Sequence, residues 1–266
     1  MTGVQTCALP IYSIVINATD LAGGISVDAA AVTVPNSVTI NVINDTTALH
    51  NTSQGVDFAG GAGDDTIHVI ANGSVDGIII RGNGGADTIN LENDTLVGHR
   101  SQVIEFATGN DGAAQGLNTG YDVINGFQTT IDKVQVALGE GLEAVVDVIA
   151  PGLNTIQWVT DGPIIFGSAG GPVGTGEALL LTHGATALTD ADLTAVNFTN
   201  VLQRINVDVT YTGINPGGLV VAEGQNDSAV YFVADQNHNG WTDLADVKLL
   251  GVFHNVHLVT GDFQIA

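Results

Sequence analysis

The chain has 266 residues, of which 5 are Lys or Arg and 28 are Asp or Glu, giving a formal charge of −23, yet 44% of its residues are hydrophobic. This excludes an acidic disordered tail, which needs low hydrophobicity as well as charge, and it excludes nucleic acid and anionic membrane as partners, since both require a basic face. The 35 glycines, the 5% of aromatics and the many Val, Ile, Thr, Asn and Asp residues point to strands joined by tight turns on a surface suited to cations, and no apolar run approaches the ~18 residues of a membrane span.

Met1 to Ile11 (MTGVQTCALPI) has neither strand nor helix period and lacks the basic n-region of a signal peptide. Thr2 to Ile11 resembles the translation of a sequencing-library adaptor. The expectation is therefore that residues 1–11 are not native sequence and that the chain is the C-terminal part of a longer protein. Cys7, the single cysteine, lies in this stretch, and its absence elsewhere suits bacterial export. From Tyr12, YSIVINATD, AAAVTV and SVTINVIN alternate apolar and polar residues, predicting two or three strands over residues 12–43. This segment resembles the last strands of the immunoglobulin-like spacer repeats of bacterial surface proteins. Asn44 to His50 is read as a polar connection.

Between Gly55 and Asn90 lies the clearest internal repeat. Gly60-Gly61-Ala62-Gly63-Asp64-Asp65-Thr66-Ile67-His68 fits G-G-x-G-x-D-x-U-x throughout, and Gly82-Asn83-Gly84-Gly85-Ala86-Asp87-Thr88-Ile89-Asn90 fits with one Gly replaced by Asn. Gly120-Tyr121-Asp122-Val123-Ile124 keeps only the G-x-D-x-U part. The glycines permit a turn with inward carbonyls and an inward Asp, and the single apolar residue of the following strand, Ile67 or Ile89, is expected in the core. The nonapeptide resembles that of the RTX family of calcium-binding exported proteins. The resemblance implies a parallel β-roll over residues 51–136, with calcium between turns one coil apart. Its candidate ligands are Gly61, Gly63 and Asp65 of one turn and Asn83, Gly85 and Asp87 of the next. Asp65 and Asp87 are the pair expected to share one ion. Stacked repeats usually need at least ~3 units to bury a continuous core, so this short roll is expected to lean on neighbouring strands.

Asp122-Val123-Ile124-Asn125-Gly126-Phe127 and Ile131-Asp132-Lys133-Val134-Gln135-Val136 resemble the D-x-I-x-x-F … x-D-x-I-x-L passage that closes RTX arrays. Residues 137–266 are read as a β-rich tail, mainly antiparallel, with one short helix. That helix opens on Thr189-Asp190-Ala191-Asp192, an N-cap with an acidic first turn, and carries Leu193, Val196, Val201 and Leu202 on one apolar side. Strands return with INVDVTYTG from Ile205, then GGLVVAE and SAVYFVA.

Asp235-Gln236-Asn237-His238-Asn239-Gly240-Trp241-Thr242-Asp243-Leu244-Ala245-Asp246 places Asp235, Asn237, Asn239, Asp243 and Asp246 at positions 1, 3, 5, 9 and 12 of an EF-hand-like loop, with Gly at 6. The strand-like residues before the loop argue against helix-loop-helix. Asp246-Val247-Lys248-Leu249-Leu250 resembles half of a dockerin motif, but the following VHLV favours the D-x-N-x-D-G hairpins of RTX tails. The alternatives at this stage are a second calcium loop and a plain hairpin turning at Asn239-Gly240.

His254 and His257, three apart on an expected strand, would point to opposite faces and could not share a metal. G-x-S-x-G and H-E-x-x-H are both absent, so no enzyme activity is expected. The class expected is all-β: a short calcium β-roll, parallel and β-helix-like, followed by the tail. By resemblance, such a chain is extracellular or on the cell surface, leaves the cell through a type I secretion transporter and takes calcium as its cofactor. Its ending, Gly261-Asp262-Phe263-Gln264-Ile265-Ala266, resembles that transporter's signal. The leading parent is an adhesin or surface-layer protein that meets other cell-surface or matrix components. The alternative is an exported protease or lipase with its catalytic domain upstream.

Overall fold

The computed structural model describes residues 13–18, 26–28, 37–42, 57–60, 63–71, 78–93, 101–106, 120–136, 156–166, 176–194, 199–211, 217–235, 237 and 239–265. Residues 1–11, Gly61, the strand-like piece at 145–150, Val196 and Ala266 lie outside them.

The first half consists of β1 (Ser13–Ala18), β2 (Ser26–Asp28), β3 (Ser37–Val42), β4 (Asp57–Ala59), β5 (Thr66–Ala71), β6 (Ile78–Arg81), β7 (Thr88–Asn93), β8 (Gln102–Phe106), β9 (Asp122–Asn125) and β10 (Lys133–Val136). From β4 onward, successive strands alternate between two sheets. β4, β6, β8 and β10 are parallel neighbours in one sheet, and β5, β7 and β9 are parallel neighbours in the other. A parallel neighbour cannot be reached through a tight hairpin, so the chain crosses to the facing sheet and returns. The apolar residue of each rung then falls between the sheets. Phe58, Ile80, Ile104 and Val134 face Ile67, Ile89 and Ile124 there, none more than 1% exposed. Phe127 closes this core edge-to-face on Phe253, with ring centroids 5.1 Å apart.

Within the segment expected to be an immunoglobulin-like remnant, the described strands are β1, β2 and β3. β1 pairs with β3 in parallel, β2 joins β4 in parallel at the margin of the six-stranded sheet, and β3 lies beside β5. Alternating apolar residues specify a strand but not the direction of its neighbour, and here the neighbours run parallel.

The second half comprises β11 (Ile156–Thr160), β12 (Ile164–Phe166), β13 (Gly176–Leu181), α1 (His183–Thr186), α2 (Asp190–Thr194), α3 (Thr199–Asp208), β14 (Val209–Tyr211), β15 (Gly217–Glu223), β16 (Ser228–Ala234), β17 (Val247–Phe253) and β18 (Phe263–Ile265). The eight-stranded sheet runs β11-β13-β15-β16-β17-β9-β7-β5, and the six-stranded one β18-β10-β8-β6-β4-β2. The mainly antiparallel tail is corrected. Only β15·β16 and β16·β17 are antiparallel among the described pairs, while β11·β13, β13·β15, β12·β14, β9·β17 and β10·β18 are parallel. Both sheets contain strands from each half of the chain, so β11, β13 and β15–β18 extend the sheets that β4–β10 begin.

The single helix is likewise corrected to three α-helices among the described residues. Leu193 on α2 and Val201, Ile205 and Asp208 on α3 are buried. With Phe166, Leu181, Tyr231 and Leu249, the apolar members form a second core on the outer face of the eight-stranded sheet. A strand buried on both faces reads as a continuous apolar run, which accounts for SAVYFVA in β16 and VKLLGVF in β17. Burial pushes the pKa of the Tyr231 hydroxyl up, and the group donates to the Leu193 carbonyl at 2.6 Å.

At the start of α2, the Asp192 carboxylate accepts from Thr189 N at 2.7 Å and from Thr189 Oγ1 at 2.6 Å. These bonds, with a further one from Asn200, outweigh burial and hold its pKa below the ordinary 3.8. Asp190 next door would be raised by burial. Bonds from Asn226 N, Asn226 Nδ2, Asp227 N and Gln225 N prevail, and its pKa is also lowered. A carboxylate lowered in the folded state stabilises it above the unfolded pKa and loses that contribution as pH falls through the folded pKa. Acidification below 3.8 should therefore loosen the α2 start and the 225–227 turn. Amide signals of Thr189 and Asn226 followed by NMR through this range would show it; signals that stay fixed would refute it.

Candidate functional site: an aspartate ladder on a glycine floor

Asp65 and Asp87 immediately precede β5 and β7, and Asp122 opens β9. Thr66 pairs with Thr88, and Thr88 with Val123, so the three aspartates stack one coil above the next. They are 3%, 0% and 1% exposed. Asp65 N donates to Asp87 Oδ1 at 2.7 Å, and Asp87 N donates to Asp122 Oδ1 at 3.1 Å. In return Thr88 N donates to Asp65 O at 2.8 Å, and Val123 N to Asp87 O at 2.7 Å. Buried carboxylates need such partners, and the backbone of the preceding coil supplies them.

The floor beneath the ladder requires glycine. A Cβ on Gly82 would overlap Asp87 Oδ2 and lie 2.9 Å from Asp122 Oδ2, and one on Gly60 would lie 2.8 Å from Asp65 Oδ2. The outer oxygens of Asp87 and Asp122 thus converge over Gly82. The sequence paired Asp65 with Asp87 as ligands of one ion; in the structure the main-chain N of Asp65 donates to Asp87 Oδ1, and the carboxylate oxygens set together over Gly82 are those of Asp87 and Asp122. Asp122 is the member sequence reasoning left out of the site, although Gly120-Tyr121-Asp122 carried the signal.

The turns between rungs explain the repeat's other positions. Asn83 has φ 66° and Gly85 φ 124°, a region open to Gly and tolerated by Asn. Asn83 replaces the repeat's Gly without losing that conformation, and its Nδ2 donates to Gly60 O at 2.7 Å. Gly63 stacks under Gly85, where a Cβ would meet the Gly63 carbonyl oxygen at 2.6 Å. Asp64 is exposed, and its Oδ1 accepts from Ala86 N at 2.9 Å.

Two further aspartates receive backbone N–H groups at the six-stranded sheet. Asp132, just before β10, accepts from Gln102 N at 2.9 Å and Gln128 N at 2.8 Å. Asp262, just before β18, accepts from Thr130 N at 2.6 Å and Val259 N at 2.8 Å. The Asp122–Phe127–Asp132 passage therefore ties both sheets.

In the 235–246 loop, Asp235 is buried, and its Oδ1 and Oδ2 accept from Asn239 N at 3.1 Å and Gly240 N at 2.9 Å. Asn237 Oδ1 also accepts from Asn239 N at 2.9 Å, and Asn237 Nδ2 donates to Asp243 Oδ2 at 2.8 Å. Asp243 caps a 3-10 turn over Leu244–Asp246, with Asp246 Oδ2 accepting from Asp243 N at 3.0 Å. β16 ends at Ala234 and β17 begins at Val247, so Asn239-Gly240 is not a two-residue hairpin turn but the tip of a longer loop. Asp246-Val247-Lys248 leads into a strand rather than a dockerin-like helix. Thr242 fastens the loop to the helical layer through Asn206, which accepts from Thr242 N and donates to Thr242 O, and through Tyr211 Oη. Burial pushes the Tyr211 hydroxyl's pKa up; the Thr242 bond opposes this, and the Asp246 and Asp235 charges add to it.

His254 lies in the turn after β17 rather than on a strand, with Nδ1 2.7 Å from Asp227 Oδ2.

The ladder's groups are all oxygens, carboxylate and carbonyl, a donor set that matches a hard cation such as calcium. Among the described residues no three His, Cys, Asp or Glu side chains form a metal-ligating group. A cation at the ladder would therefore draw two carboxylates at most per level and take the rest from main-chain carbonyls. Among the described residues no helix is long and apolar enough to cross a membrane. Compared with known proteins, the chain matches no protein-family model and no curated protein sequence.

Proposed function

We propose that this chain is the calcium-binding region of an RTX-like exported surface protein, of adhesin or surface-layer type, that acts as a structural module rather than an enzyme. The stacked, buried Asp65, Asp87 and Asp122 over a floor where no Cβ fits carry this reading. Calcium, when bound, supplies positive charge to carboxylates that otherwise crowd a chain of −23. Asp87 and Asp122 would hold it over Gly82, and Asp65 with the Gly82 carbonyl would serve the level above Gly60. The 235–246 loop is proposed as a second, weaker site, because Asp246 is shorter than the usual bidentate Glu. Export by a type I transporter, with folding where calcium is plentiful, completes the reading.

Calcium should raise the melting temperature by mass action, with affinity near 10⁻⁴ to 10⁻³ M, about the range of extracellular modules. Asp87→Ala and Asp122→Ala should each weaken the calorimetric signal, with the double variant little worse than either because both serve the ion over Gly82, and Asp65→Ala should weaken the level above Gly60. Asp64→Ala should bind nearly normally. Identical melts in EDTA and millimolar calcium, or equal losses at Asp64 and Asp65, would overturn the proposal.

A further inference from the structure

The chain holds several Asn-Gly pairs, and among the described residues the structure sets one apart. At Asn239-Gly240 the glycine N–H donates to Asp235 Oδ2 at 2.9 Å, while Asn239 Oδ1 accepts from Trp241 N at 2.7 Å. Gly240 has φ 79°, nothing lies within 4 Å of the place a Cβ would take, and Asn239 and Gly240 are both exposed. In Asn83-Gly84 and Asn125-Gly126, by contrast, the asparagine Nδ2 is tied to a neighbouring coil, to Gly60 O at 2.7 Å and to Asn90 Oδ1 at 3.0 Å.

We propose that Asn239 is a self-modification site, converted to aspartate and isoaspartate through a succinimide with Asp235 as general base. Asp235 takes the proton from Gly240 N as that nitrogen bonds to Asn239 Cγ. The negative charge that develops on Oδ1 meets the Trp241 N–H already aimed at it, the kind of donor that stabilises a tetrahedral intermediate. The Cγ–Nδ2 bond then breaks, and the side-chain nitrogen leaves as ammonia with the proton Asp235 holds. Water opens the ring at either carbonyl, giving the α-linked aspartate or the β-linked isoaspartate, with no change of oxidation state. Glycine suits the second position because a Cβ would crowd the ring as it closes. The product carries one more carboxylate in a loop already holding Asp235, Asp243 and Asp246, so the modification changes the loop's charge and, in the isoaspartyl form, lengthens its backbone. This inference does not rest on calcium and is tested without it.

The full chain is incubated in EDTA at mildly alkaline pH, and peptide mapping by mass spectrometry follows the amide-to-acid mass gain at Asn239, Asn83 and Asn125 together. Asn239 should convert about a hundredfold faster than the other two, the low end of what a positioned base contributes. Asp235→Asn should remove most of that advantage. Gly240→Ala, which leaves Asp235 in place, should slow Asn239 as well. The two coil-bound asparagines serve as internal clocks, because a variant that merely unfolds would speed all three alike. Conversion at Asn239 no faster than at Asn83 and Asn125 in the unaltered chain, or an unchanged ratio in a folded Asp235→Asn variant, would overturn the proposal.

Discussion

Gly126→Ala is expected to cost about 4 kcal/mol of folding stability, the sum of a strained backbone and an overpacked contact. Gly126 follows β9 with φ 80°, a region in which a side chain is strained, and an added Cβ would overlap the carbonyl oxygen of Leu91 in β7. The obstacle is backbone, so no rotamer change relieves it, and the coils carrying β7 and β9 would have to part. For a chain of this size the melting temperature should fall by roughly 10 °C. A melt within about two degrees of the parent, a stability change under 1 kcal/mol, would mean that the β7–β9 step yields more easily than close packing allows.

Asp87→Ala, measured in EDTA so that no metal contributes, should cost about 3 kcal/mol, because it strands the buried Asp65 N–H and empties space beside Gly82. Asp87→Asn keeps an acceptor oxygen of the same shape and should cost clearly less. Asp64→Ala, which removes an exposed acceptor one residue away, should cost about 0.5 kcal/mol. Denaturant titration of the three variants gives the ranking. Equal costs at positions 64 and 87 would show that the ladder holds nothing together beyond surface charge.

These variants also show what was legible in the sequence. The nonapeptide carries its own geometry: glycines where a Cβ cannot fit, one aspartate and one apolar residue. Ile67 and Ile89 could therefore be assigned to the core, and Asp65 and Asp87 to neighbouring coils. Asp122 was harder, since its copy lacks the glycines preceding Gly120 and only its register against β7 places it on the ladder. Long-range choices were not legible. β1 and β3 alternate like any half-buried strands, and alternation leaves open whether a partner runs parallel or antiparallel. INVDVTYTG alternates too, yet Val201, Ile205 and Asp208 also share one helical face. The Arg204–Asp208 pair, 3.0 Å apart at i and i+4, lies along it, so α3 continues to Asp208 before β14 begins. The loop at 235–246 announced its liganding order but not its wiring to Asn206 and Tyr211, which are distant in sequence.

The pairing of β10 with β18 bears on how the molecule is made. Thr130 N to Asp262, Lys133 Nζ to Gly261 O and Gln264 Nε2 to Gln135 Oε1 each join residues 128 to 132 positions apart. Contacts of such separation form late, because the chain must close a large loop before any bond repays the lost freedom. While the polypeptide is being synthesised, the coils up to β10 are complete long before β18 exists. For that interval β10 presents an unpaired row of amides and carbonyls, an open edge on which a second nascent chain could template. β18 thus acts as a stopper, and a chain that loses it should aggregate during production even where its finished coils are sound.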